Sequence, residues 1–162
     1  MRVRSKICAL FIIMLLLGSC KEPLKKQDFK EFYQLKGWES KDVVTLHLDI
    51  RDTLNPKTVF IMGQLFNNQN IEDKKYIYLN VIITSPDSTS ISDRIKLPLQ
   101  VKPDGKNANK IGRIVEYQWP FMKDVLFSRK GVWSFEFSQV SYYEHFNREL
   151  CRHLYGIGIK YE

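Results

Sequence analysis

The chain has 162 residues, 25 of them Lys or Arg and 18 Asp or Glu, with a formal charge of +7 and 44% hydrophobic residues. That mixture excludes a disordered or low-complexity protein, and the length suits one domain with one packed core. Basic and acidic residues are interleaved instead of forming a basic stripe, which argues against a nucleic-acid-binding surface.

The first nineteen residues read as an export signal. Arg2, Arg4 and Lys6 precede an eleven-residue apolar run, Ile7 to Leu17. A permanent membrane helix needs ~20 apolar residues, so this run has the length of a signal core instead. It ends in Leu17-Gly18-Ser19-Cys20, which resembles the lipobox of bacterial lipoproteins. The expected organisation is therefore a signal peptide over 1–19, a lipidated tether over 20–32 starting at Cys20, and a single domain over 33–162. Without the leader, 22 basic residues face 18 acidic ones, a net of +4. Two or more acyl chains on Cys20 would anchor the protein stably, where one is marginal. Lys21 follows the cysteine, not the Asp that retains many lipoproteins in the inner membrane, so the outer membrane is expected, with the domain on its periplasmic face. Cys8 leaves with the leader and Cys20 is acylated, so Cys151 has no partner for a disulfide within the mature domain.

From Val44 onward the pattern has period two. Val44, Leu46, Leu48 and Ile50 alternate with Thr45, His47 and Asp49 in a half-buried strand. Asp52 to Pro56 is a turn, and 57–66 is a second strand that contains Gly63. Tyr76 to Thr84, β-branched and aromatic throughout, reads as a central strand. Ile91, Asp93, Ile95, Leu97 and Leu99 share one face of the next, and Pro98 makes it an edge. A short strand is expected over 111–117. In 131–138, Trp133, Phe135 and Phe137 point one way and Ser134, Glu136 and Ser138 the other. The last strand spans 155–161, where Gly156 and Gly158 allow close backbone approach. Tyr143, Phe146, Leu150 and Leu154 fall at helical spacing, so 141–154 is expected to hold a short helix or an ordered loop. Together these predict an all-β protein, an antiparallel β-sandwich of seven to eight strands, Ig-like or jelly-roll-like.

Chemistry-bearing motifs are sparse. The chain has no G-x-S-x-G elbow, P-loop, H-E-x-x-H or EF-hand loop. His145, Cys151 and His153 form the best cluster, but their spacing matches no standard zinc arrangement. A packed thiol beside two surface imidazoles explains them better than a nucleophile and its base. No metal, cofactor or catalytic residue is expected. Tyr142, Tyr143 and Phe146, outside any clear strand, are the candidate interaction surface.

Several of these features, in their order, resemble the gliding-motility lipoprotein H (GldH) family of the Bacteroidetes. They are Tyr33, Gly37-Trp38 and Asp42 before the first strand, Asp52 after it, and Phe60-Ile61 running to Asn67-Asn68. Further on come Phe127 before Gly131-Val132-Trp133, and the C-terminal Ile157-Gly158-Ile159-Lys160-Tyr161-Glu162. The resemblance implies a non-enzymatic, lipid-anchored accessory or scaffold of gliding motility or the associated type IX secretion machinery. Its partners would be the membrane and envelope proteins of that machinery. The alternative is a periplasmic or surface module that binds a glycan or peptide.

Overall fold

The computed structural model describes residues 25–32, 37–66, 76–99, 108–140 and 151–162. Cys20, Tyr142, Tyr143, His145 and Phe146 lie outside them. Among the described residues nine strands are formed, against the seven to eight expected: β1 (Gln27–Glu31), β2 (Val44–Ile50), β3 (Lys57–Phe66), β4 (Tyr76–Thr84), β5 (Ser90–Pro98), β6 (Ala108–Ile111), β7 (Ile114–Val125), β8 (Gly131–Gln139) and β9 (Leu154–Tyr161). They make two antiparallel sheets, ordered β1-β9-β3-β7-β6 and β2-β8-β4-β5. The expected β-sandwich is the fold observed.

Alternation decides which side of each strand faces inward. In the four-stranded sheet, Leu46, Phe135 and Ile83 stand in one cross-strand row, and Val44, Phe137 and Val81 in the next. Val59, Ile61, Leu65, Val115, Ile157 and Ile159 of the other sheet complete the core. Each such side chain contributes ~1.5–3 kcal/mol on burial, and the chain's stability rests on their sum. Tyr117 and Trp119 stack in parallel with ring centroids 5.0 Å apart. Their polar tips reach across the sandwich: the Tyr117 hydroxyl donates to Leu99 O at 2.8 Å, and Trp119 Nε1–H to Pro98 O at 2.7 Å. The two rings thereby tie β7 to the end of β5.

Four details depart from the sequence reading. The stretch expected as tether contributes a strand, β1, which pairs with β9 along its length. The short strand expected over 111–117 is a hairpin, β6–β7, and β7 runs on through Trp119-Pro120. Proline is tolerated there because β6 pairs only with residues 114–117, leaving the rest of β7 as an open edge. On β5, an edge strand as Pro98 suggested, Ile95 and Leu97 are buried, but Ile91 and Asp93 are exposed. Trp133 faces inward with Phe135 and Phe137 but lies at the margin of the core. It is only partly buried, packed edge-on against Phe127 at 5.0 Å. Of the segment with helical spacing, Cys151 and Arg152 are helical, Leu154 belongs to β9, and 141–150 lies outside the described residues.

Candidate functional site

The residues that carry the family resemblance act mainly as structural ties. Gly37 has φ +59, and a Cβ there would lie 2.5 Å from both Cys151 O and Arg152 Cα. Only glycine lets the chain pass so close to the 151–152 backbone in that conformation. Trp38 follows, 2% exposed, its backbone N–H donating to Cys151 O at 2.9 Å and its Nε1–H to Asp42 O at 2.9 Å. Phe32 stacks on its ring at 5.6 Å.

Asp52 caps its turn by accepting the backbone N–H of Leu54 at 2.9 Å, the Asn55 side-chain amide at 2.9 Å and Lys57 Nζ at 3.2 Å. Those contacts, the Asn55 amide foremost, hold its carboxyl well below the usual range. At the C-terminus the Tyr161 hydroxyl donates to Asp49 O at 3.0 Å, and Glu162 exchanges two backbone hydrogen bonds with Thr58.

Cys151 is fully buried, and burial pushes its thiol up to about 12, far from the thiolate a nucleophile requires. The His153 carbonyl accepts the Phe66 N–H at 3.0 Å. Among the described residues, no group of three or more His, Cys, Asp or Glu is placed to hold a metal ion. No described helix is long and apolar enough to cross a membrane.

Among the described residues, an open cleft of about 480 Å³ lies on the outer face of the five-stranded sheet. Strand register places its walls. One cross-strand row runs Phe29, Gly158, Met62, Gln118; the next runs Glu31, Gly156, Gln64, Glu116, Asn109. Glycines at both β9 positions make the trough. A Cβ at Gly156 would collide with Phe29 Cε1 and Cζ, and one at Gly158 with Phe29 Cδ2, so the ring lies across both glycines. Beyond them, Gln64 Nε2–H donates to Glu116 Oε1 at 2.7 Å and fixes that pair. The result is a rim of side-chain amides and carboxylates around a floor of phenyl and thioether. Its described lining contains no His, Cys, Ser or Thr.

Sequence reasoning missed this site. The available signal was Phe29, alone among polar residues, with two glycines spaced two apart in the last strand. The aromatic residues proposed instead, Tyr142, Tyr143 and Phe146, fall outside the described residues.

The fold is a two-sheet antiparallel β-sandwich whose distinctive residues mostly serve the fold. The family model described as GldH lipoprotein matches residues 27–157, and the chain belongs to that family, one associated with gliding motility. No curated protein matches the chain. Among solved structures, the CspB protease of Clostridium perfringens is similar with 12% identity and a TM-score of 0.36. That match covers 84% of this chain and 25% of the other, so the chain spans about a quarter of the protease's length.

Proposed function

We propose that the protein is a lipid-anchored, non-enzymatic accessory or scaffold of the gliding-motility or type IX secretion machinery. Cys20 holds it at the outer membrane, with the domain on the periplasmic face. The observation that carries this reading is membership of the GldH lipoprotein family. The place where the fold begins supports it. Four residues lie between Cys20 and Lys25, five residue steps in all, and the Lys25 carbonyl already accepts the Asp49 N–H at 3.0 Å. At ~3.3–3.6 Å per extended residue, the sandwich hangs within ~17 Å of the acylated cysteine. A domain so close to its membrane acts on neighbours in that membrane. Burial of the Cys151 thiol supports the reading of that residue as packed core instead of a nucleophile.

Crosslinking in native membranes, followed by identification of the attached proteins, tests the reading. Recurrent capture of membrane proteins of the motility or secretion apparatus is expected. Capture of none of them, in cells where that apparatus is assembled, would overturn it.

A further inference from the structure

We propose that the cleft on the five-stranded sheet is a binding site for a neutral oligosaccharide. The inference stands apart from the anchored-scaffold reading, because a scaffold needs no such site and the site needs no anchor.

The floor supplies the first argument. Phe29 lies over Gly156 and Gly158, with one face of its ring on the β9 backbone. The other face is then offered to the cleft. A ring displayed in this way suits the apolar C–H face of a pyranose, which gains contact area at little entropic cost because Phe29 is already held in place.

The rim supplies the second. Gln27, Gln64, Gln118 and Asn109 each carry a donor and an acceptor, and Glu31 and Glu116 each carry two acceptor oxygens. Vicinal hydroxyls, which both donate and accept, are complementary to that set. An anionic sugar is not, because two carboxylates line the cleft. Lys160, on the same face of β9, is engaged by Glu162 at 2.6 Å.

The third argument separates a saccharide from a peptide. Extended peptides gain most of their affinity from backbone pairing at a sheet edge. This cleft opens on the outer face of the sheet, centred over β9 and β3, which are flanked by strands on both sides, with its end walls from the edge strands β1 and β6 and from Gln118 of β7. Only side chains face the ligand there, so the ligand must bring its own dense array of hydrogen-bonding groups.

Geometry also points to binding without cleavage. Glu31 and Glu116 sit three strands apart in one row, ~14 Å between backbones at ~4.7–4.9 Å per strand. Paired glycosidase carboxyls work at ~5–9.5 Å, and Glu116 is already committed to Gln64.

The test uses the full-length lipoprotein in a detergent that carries no sugar, titrated with cellotetraose, maltotetraose, xylotetraose, chitotetraose and tetragalacturonate. Saturable binding of at least one neutral tetrasaccharide is expected, at a Kd of about 1 mM, as suits an open site. Tetragalacturonate should bind at least tenfold more weakly. Phe29→Ala should abolish binding. Because that change also touches an edge strand, Gln118→Ala serves as the second variant, weakening binding severalfold at an unchanged melting temperature. Tyr78→Ala, on the other sheet, should bind like the parent. No saturable binding of any neutral probe up to 20-fold above the expected Kd would overturn the proposal. So would binding indifferent to both cleft variants, preferential binding of the acidic probe, or displacement of the sugars by unstructured peptides.

Discussion

Asp28 on β1 accepts the backbone N–H of His47 on β2 at 2.8 Å, and so joins the edge of one sheet to the edge of the other. The same carboxylate lies 3.0 Å from Lys25 Nζ and 3.8 Å from His47 Nδ1. The contact uses a donor that the outer edge of β2 would otherwise leave open to another chain. It also makes part of the stretch expected as tether a piece of the fold. Asp28 is shielded, with a side chain 17% exposed, so the bond forms partly away from water. A hydrogen bond to a charged group contributes ~1.5–3 kcal/mol. Asp28→Ala should therefore lower unfolding stability in urea by about that amount, and Asp28→Asn, which keeps an acceptor, by less. A loss below ~0.5 kcal/mol for the alanine variant, the range of an ordinary surface change, would mean that β1 contributes nothing to the fold.

Gly37 should tolerate no side chain. A non-glycine residue in the left-handed region costs ~1–3 kcal/mol by itself. The Cβ would also meet the Cys151–Arg152 backbone at 2.5 Å, which cannot swing aside as a flexible side chain could. Gly37→Ala should thus cost more than the conformational penalty alone, measured by the same urea titration. Gly112 has a similar φ of +61 but open space around it, so Gly112→Ala should cost only that penalty. Equal losses at the two glycines would contradict the close approach.

The alternation in β8 predicts unequal responses from neighbouring residues. Phe135 is fully buried, and truncating a buried Phe to Ala costs ~3–5 kcal/mol. Glu136, on the outer face, should respond within ~0.5 kcal/mol. Trp133→Ala should fall between them, because the indole is only partly buried and keeps its Nε1–H on Arg129 O at 3.1 Å. Thermal unfolding of the three variants would reveal a reversed strand if Glu136→Ala proved the most damaging.

What could be read from the residues followed local pattern. β2, β4 and β8 alternate or carry dense β-branched and aromatic runs, and their burial follows that pattern directly. β1 and β6 were invisible because Gln-Asp-Phe-Lys-Glu and Ala-Asn-Lys-Ile bury little; only pairing with β9 and β7 makes them strands. The helical spacing ending at Leu154 is met in part, since Cys151 and Arg152 are helical and Leu154 begins β9. The cleft was out of reach for a related reason. It exists only once Phe29 is set against Gly158, a pairing between opposite ends of the chain that no local period encodes.

Two surface carboxylates give the acid limb of stability its sign. Asp87 is held at about 2, first by the Ser85 hydroxyl and then by the Thr89 backbone N–H, against an ordinary value of 3.8. Asp52 is depressed further. A depressed folded value means the stabilisation is fully present above the unfolded value and disappears as pH falls through the folded one. The melting temperature should accordingly fall between pH 4 and pH 2. Asp87→Asn should flatten part of that fall while lowering the melting temperature at neutral pH. Both groups are at the surface, so the effects should be modest and should shrink with added salt. An unchanged acid limb in a double Asp52→Asn, Asp87→Asn variant would contradict these assignments.

The anchored-scaffold account rests on confinement at the membrane. Holding a domain beside its partner on a short tether raises apparent affinity by ~10²–10⁴ with no new contact. Complementation of a deletion strain by Cys20→Ala, exported through a cleavable signal peptide and matched in abundance, tests this most directly. The account predicts a folded periplasmic domain that fails to restore gliding or type IX secretion. Full restoration by that soluble form would contradict it.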